Sequence, residues 1–140
     1  MAGGGDGLGR ACALDLAHAG VSLALCDINA ATLADTAAEA RALGVEVLDA
    51  TLDVRDPEAL AGFFATLDGR FERLDIAVNV VGGTFRADFL DVSAKGRDTL
   101  VRTNFTWVAD AVQQAARRMV AGGRGGSIVT ITSIEAHRAA

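Results

Sequence analysis

Seven residues near the start, Gly3-Gly4-Gly5-Asp6-Gly7-Leu8-Gly9, constrain this chain more than any others in it. Glycine carries no Cβ, so such a run lets a backbone bend sharply and approach a bulky anion closely. A helical pattern begins at Leu8. A helix that starts on glycines presents its unpaired N–H groups and the positive end of its dipole to whatever lies in front of them. Alone, the run would also suit a flexible terminus. Its partner is Asp27, which closes the next strand pattern eighteen residues after Gly9. A phosphate cradle followed at that distance by a strand-terminal carboxylate is the pairing a dinucleotide needs. The helix end takes the pyrophosphate, and the carboxylate accepts hydrogen bonds from the adenosine ribose hydroxyls.

The rest of the pattern alternates strand and helix. Leu8, Cys12, Leu16 and Ala19 recur on one helical face, and Gly20 stops that helix. Val21–Cys26 is a short apolar run of the kind buried on both faces of a parallel sheet. Ala31–Leu43 is an Ala-rich helix stopped by Gly44. Val45–Leu52 is the next strand, ending in Asp53-Val54. Asp56-Pro57 is a helix cap followed by proline at the first helical position, with a helix running to about Phe71. Leu74–Val81 is a strand bounded by Gly82-Gly83. Residues 84–96 read as a loop with a short helix. One long helix is expected from about Arg97 to Val120, with an inner stripe of Val101, Phe105, Val108, Val112 and Met119. Leu100, Trp107 and Ala111 flank that stripe. Ser127–Thr132 is a β-branched strand with Ser133 at its end.

Alternating strands and helices imply a doubly wound α/β fold with a parallel sheet, in which ligands bind beyond the carboxyl ends of the strands. Asp27, Asp53, Asn79, Gly82 and Ser133 fall at or just past five such ends. Each has a plainer alternative: a solvated cap for Asp27, a turn for Asp53, the end of a strand for Ser133.

At 140 residues and 51% apolar content the chain suits a single domain, residues 1–140. A net charge of −5 argues against nucleic acid or an anionic membrane as partner. Cys12 and Cys26 have no metal-ligand spacing, and no metal site is expected. No signal peptide or membrane span is read, so a cytoplasmic location is expected.

Gly3, Gly7 and Gly9 match the G-x-x-x-G-x-G spacing of the short-chain dehydrogenase/reductase family, with Ala2 where that family usually has Thr. The whole chain resembles the amino-terminal part of such an enzyme. The resemblance implies an incomplete Rossmann-like fold, with the first, central strand and the carboxy-terminal part missing, because Met1-Ala2 leaves no residues for that strand. It places Gly3, Gly7, Leu8 and Gly9 on the cofactor phosphates, Asp27 on the ribose, and Asp53 and Val54 beside the adenine. Asn79 and Gly82 belong to an Asn-Val-Val-Gly segment standing where the family has Asn-Asn-Ala-Gly. Asn104 matches the catalytic Asn that holds a water in the proton relay, although it also reads as an ordinary polar residue in a helix. Ser133 matches the serine that hydrogen-bonds the reacting oxygen of the substrate.

The implied activity is NAD-dependent hydride transfer between an alcohol and a carbonyl on a small molecule, with NAD favoured over NADP by Asp27. The alternative is a non-catalytic dinucleotide-binding module or interaction subunit with the same fold. The family's Tyr-x-x-x-Lys pair is absent: the chain has no tyrosine, and its one lysine is Lys95. Glu135 and His137 are poor substitutes, being close to the end of the chain with nothing evident to orient them. The chain alone is therefore expected neither to turn over substrate nor to fold stably. A homo-oligomer built through the long helix, with Trp107 at the contact, is also expected.

Overall fold

The computed structural model describes residues 1–137. Four parallel strands are interleaved with five helices: α1 (Gly7–His18), β1 (Leu23–Asp27), α2 (Ala30–Ala42), β2 (Val47–Thr51), α3 (Pro57–Arg70), β3 (Ile76–Asn79), α4 (Ala94–Val101), α5 (Trp107–Ala121) and β4 (Ser127–Thr130). A π-helical turn, Arg102–Thr106, joins α4 to α5. β1 pairs with β2 and β3 with β4, both in parallel.

Between the two pairs lies Ala2, which bridges Cys26 on one side and Asn79 on the other. Its N–H donates to the Val78 carbonyl at 3.0 Å and its carbonyl accepts from Val80 at 3.1 Å. On the β1 side the Met1 carbonyl accepts from Cys26 at 3.0 Å. The spatial order is thus β2-β1-(Met1-Ala2)-β3-β4. The first central strand is missing, as expected, except that Met1-Ala2 bridge the ends of β1 and β3 and hold them apart. Behind Met1 the gap persists. A cavity of about 630 Å³ runs between the starts of β1 and β3, lined by Leu16, Leu23, Ala24, Phe71, Ile76 and Val78 among others.

Strand alternation directs side chains to two cores. Leu23, Leu25 and Val47 pack under α1 and α2 with Ala13, Leu14, Leu33 and Ala37. Ala2 and Cys26 point the other way, to Leu60, Phe63 and Phe64 of α3 and to Trp107, Ala111, Ala115 and Met119 of α5. Asp56 caps α3 through the Glu58 and Ala59 N–H groups, with Pro57 at the first position, as expected. Among the described residues no helix is long and apolar enough to cross a membrane.

The single long helix is corrected. Its first part starts earlier, at Ala94 with Ser93 as cap, and the π turn interrupts it. The extra residue in that turn re-phases the faces. Trp107 is buried, 2% exposed, while Phe105 is 68% exposed and Val101 54%. Trp107 is a core residue of this chain, contrary to the contact role expected for it.

Candidate functional site

The expected site residues converge on the carboxyl ends of the strands, with the glycine loop at the centre. The chain leaves the ladder at Ala2 and turns at Gly3, whose φ of +83° only glycine adopts readily. The N–H groups of Gly3 and Gly4 donate to the Cys26 carbonyl at 2.8 and 3.2 Å, fastening the loop to β1. α1 then doubles back so closely that a Cβ on Gly9 would overlap the Gly3 carbonyl oxygen. Asp6 caps α1, its carboxylate accepting from Gly7 at 2.6 Å. Among the described residues no acceptor pairs with the N–H groups of Leu8 and Gly9, which open the helix. An anion set before α1 would meet those two donors and the dipole end.

Asp27 ends β1 with its carboxylate fixed from two directions. One oxygen accepts the Gly5 N–H at 2.9 Å, the other the Asn29 N–H at 2.9 Å. A Cβ on Gly5 would press against that carboxylate and Thr32 Oγ1, so glycine is required here for space. Arg10, the cation nearest the loop in sequence, pairs instead with Glu39 on α2.

Asp53 lies past the end of β2, beside the buried Val54. Arg55 grips its carboxylate with two nitrogens, at 2.7 to 3.0 Å. That guanidinium holds the Asp53 carboxyl below the usual carboxylate range. Asp53, Arg55, Asp56, Pro57, Thr99 and Arg102 border an open depression of about 420 Å³. Asn79, at the end of β3, is 5% exposed, and its Nδ2 donates to Thr130 Oγ1 at 3.3 Å, tying β3 to β4. Asn104 lies in the π turn. Its amide mimics a strand partner for Gly83, accepting from the Gly83 N–H at 3.0 Å and donating to the Gly83 carbonyl at 2.8 Å. A Cβ on Gly82 would crowd the same amide oxygen. Ser133 follows β4 and caps the short turn Ile134–Ala136 through the Glu135 N–H at 3.2 Å. Glu135 and His137 are exposed.

Two contributors escaped the sequence reading. Thr36 of α2 is fully buried, and its hydroxyl donates to the Gly5 carbonyl at 3.1 Å, bracing the loop from below. Its signal was a hydroxyl on the apolar stripe formed by Leu33, Ala37 and Ala40. Arg55 was the other, two residues past Asp53. Among the described residues no group of three or more His, Cys, Asp or Glu side chains is placed to hold a metal.

Comparison with known proteins agrees with this arrangement. The family model described as short chain dehydrogenase matches residues 1–140. The chain is 35% identical over 137 residues to a probable oxidoreductase, EphD, of Mycobacterium tuberculosis, covering 98% of this chain and 23% of that protein. It is 34% identical over 128 residues to the 2-dehydro-3-deoxy-D-gluconate 5-dehydrogenase of Escherichia coli, covering 91% of this chain and 50% of that one. Among solved structures, carveol dehydrogenase from Mycobacterium avium in complex with NAD superposes with a TM-score of 0.94 at 29% identity. That match takes in 100% of this chain and 55% of the other. The chain thus spans about half the length of these relatives, or less. With its glycine loop, strand-end carboxylates and parallel sheet, it belongs to the short-chain dehydrogenase family.

Proposed function

We propose that these residues are the dinucleotide-binding part of an NAD-dependent oxidoreductase acting on a small-molecule alcohol or carbonyl. The observation that carries this reading is the packing of α1 on Gly3. It leaves the N–H groups of Leu8 and Gly9 without an acceptor among the described residues, at the start of a helix near a carboxylate fixed at the end of β1. The residues present fit the cofactor: the loop is one that a Cβ would fill, and Asp27 is immobilised with lone pairs to spare for ribose hydroxyls. Leu8 and Gly9 would receive the diphosphate, Asp27 the adenosine ribose, and Val54 and Asp53 the adenine side. When bound, the cofactor would accept the hydride from an alcohol in its oxidised form or donate it to a carbonyl in its reduced form.

Asp27 also supports NAD over NADP. A 2′-phosphate would be set against its carboxylate, and the Arg10 guanidinium is committed to Glu39. Asn104 acts by holding Gly83, and so the loop after β3, against the π turn. Ser133 is assigned to the reacting oxygen of the substrate. These residues include no tyrosine. The proton transfer that the family resemblance assigns to a Tyr-x-x-x-Lys pair is therefore not carried out by them, and the chain alone is inactive.

Self-association through the α4–α5 region is part of the same reading, moved from Trp107 to the outer face with Val101 and Phe105, both more than half exposed. Calorimetric titration of the full chain with NAD and with NADP tests the cofactor assignment. Saturable NAD binding at least tenfold tighter than NADP is expected. An NADP preference, or binding of neither, overturns it.

A further inference from the structure

Asp6 stands where a dinucleotide site has least use for an anion. Two carboxylates hold amides of the glycine loop: Asp27 takes the N–H of Gly5 and Asp6 takes that of Gly7. Their situations differ. Asp27 is partly buried and pinned by two backbone donors, whereas Asp6 is exposed and faces the first turn of α1. The Gly3 and Gly4 amides are spent on Cys26. Asp6 therefore occupies one of the few donors the loop could offer a phosphate, and adds a full negative charge in front of the helix dipole. Among the described residues no ion pair neutralises it. Arg10, the next cation along α1, is turned to Glu39.

We propose that Asp6 is an internal competitor of the cofactor diphosphate, setting the affinity of the site by holding the Gly7 amide and repelling the incoming charge. This rests on the reading that the glycine loop takes a dinucleotide. The contribution has two separable parts. Asp6→Asn keeps the capping oxygen and removes the charge, and Asn is as good a helix cap as Asp. Asp6→Gly removes both the charge and the acceptor, and glycine is itself tolerated at a helix cap. Charge repulsion is screened by salt and acts only on an anionic ligand.

The test is titration of the full chain and both variants with NAD, and with adenosine as a ligand that lacks the diphosphate, at about 0.05 and 0.5 M salt. NAD binding about fivefold tighter in Asp6→Asn is expected at low salt, with the gain shrinking at high salt. Asp6→Gly is expected to gain at least as much, and adenosine binding is expected to be unchanged. Equal NAD affinity in all three proteins overturns the proposal while leaving the cofactor reading intact. So does a gain shared by adenosine or indifferent to salt, since a structural effect on the loop would behave that way. Failure of all three to saturate with NAD overturns the cofactor reading, and this inference with it.

Discussion

Gly9 is the residue at which sequence and chemistry are most tightly joined. A methyl group there would lie on the Gly3 carbonyl oxygen, so Gly9→Ala must push α1 off the loop. The expected result is loss of NAD binding and a destabilisation of about 2 kcal/mol or more, read from urea unfolding and a cofactor titration. Asp27→Ala is expected to narrow the preference for NAD over NADP, measured as the ratio of the two dissociation constants, and to free the Gly5 N–H that the carboxylate holds. The placement of Gly9 and Asp27 at the start of a helix and the end of a strand was legible in the sequence because it depends on short spacings along the chain. Thr36 was not, because its partner Gly5 is 31 residues away and only the packing of α2 against the loop brings them together.

At the scale of elements, strand and helix positions followed from periodicity, with boundaries shifted by a residue or two. The faces of the last helices did not. A continuous 3.6-residue period through Arg102–Thr106 puts Phe105 inward and Trp107 to the side. The π turn breaks that period, and from Trp107 onward the buried set is Trp107, Ala111, Ala115 and Met119, one face of a regular α-helix. Side chains complete the hydrogen bonding of the turn. The Trp107 indole N–H donates to the Thr103 carbonyl at 2.8 Å, and Asn104 Nδ2 donates to that of Leu100 at 3.0 Å. Nothing in composition marks such a turn, because its Asn104 amide is held by Gly83, 21 residues away in the chain. The exchange of faces is testable. Trp107→Ala is expected to cost about 3–5 kcal/mol of stability, and Phe105→Ala less than about 1. Phe105→Asp is expected to weaken self-association in sedimentation without lowering the melting midpoint. The reverse ranking in urea unfolding would contradict the burial pattern.

For the molecule as a whole, the sheet order sets Met1-Ala2 between β1 and β3. Met1-Ala2 completes the carboxyl end of the central ladder, where the site is, and thereby keeps the loop anchored on both β1 and β3. The opposite half of that position is a cavity of about 630 Å³ lined by apolar side chains of β1 and β3 and by charged residues such as Glu46, Arg70 and Asp75. By the alternation of a parallel ladder, the N–H groups of Ala24 and Val78 point into it. An extended strand of about five apolar residues would bury side chains worth ~1.5–3 kcal/mol each, together comparable to the whole stability of an ordinary domain. A segment of this kind in that position is therefore expected to raise the melting midpoint by ten degrees or more. The central claim, that the carboxyl ends of these strands form a dinucleotide site, is tested most directly by following backbone amide resonances of the full chain during titration with NAD. Saturable shifts greatest at Leu8 and Gly9 are expected, with further shifts at Asp27 and Val54. Shifts confined to the slot around Phe71 and Ile76, or none that saturate, would contradict it.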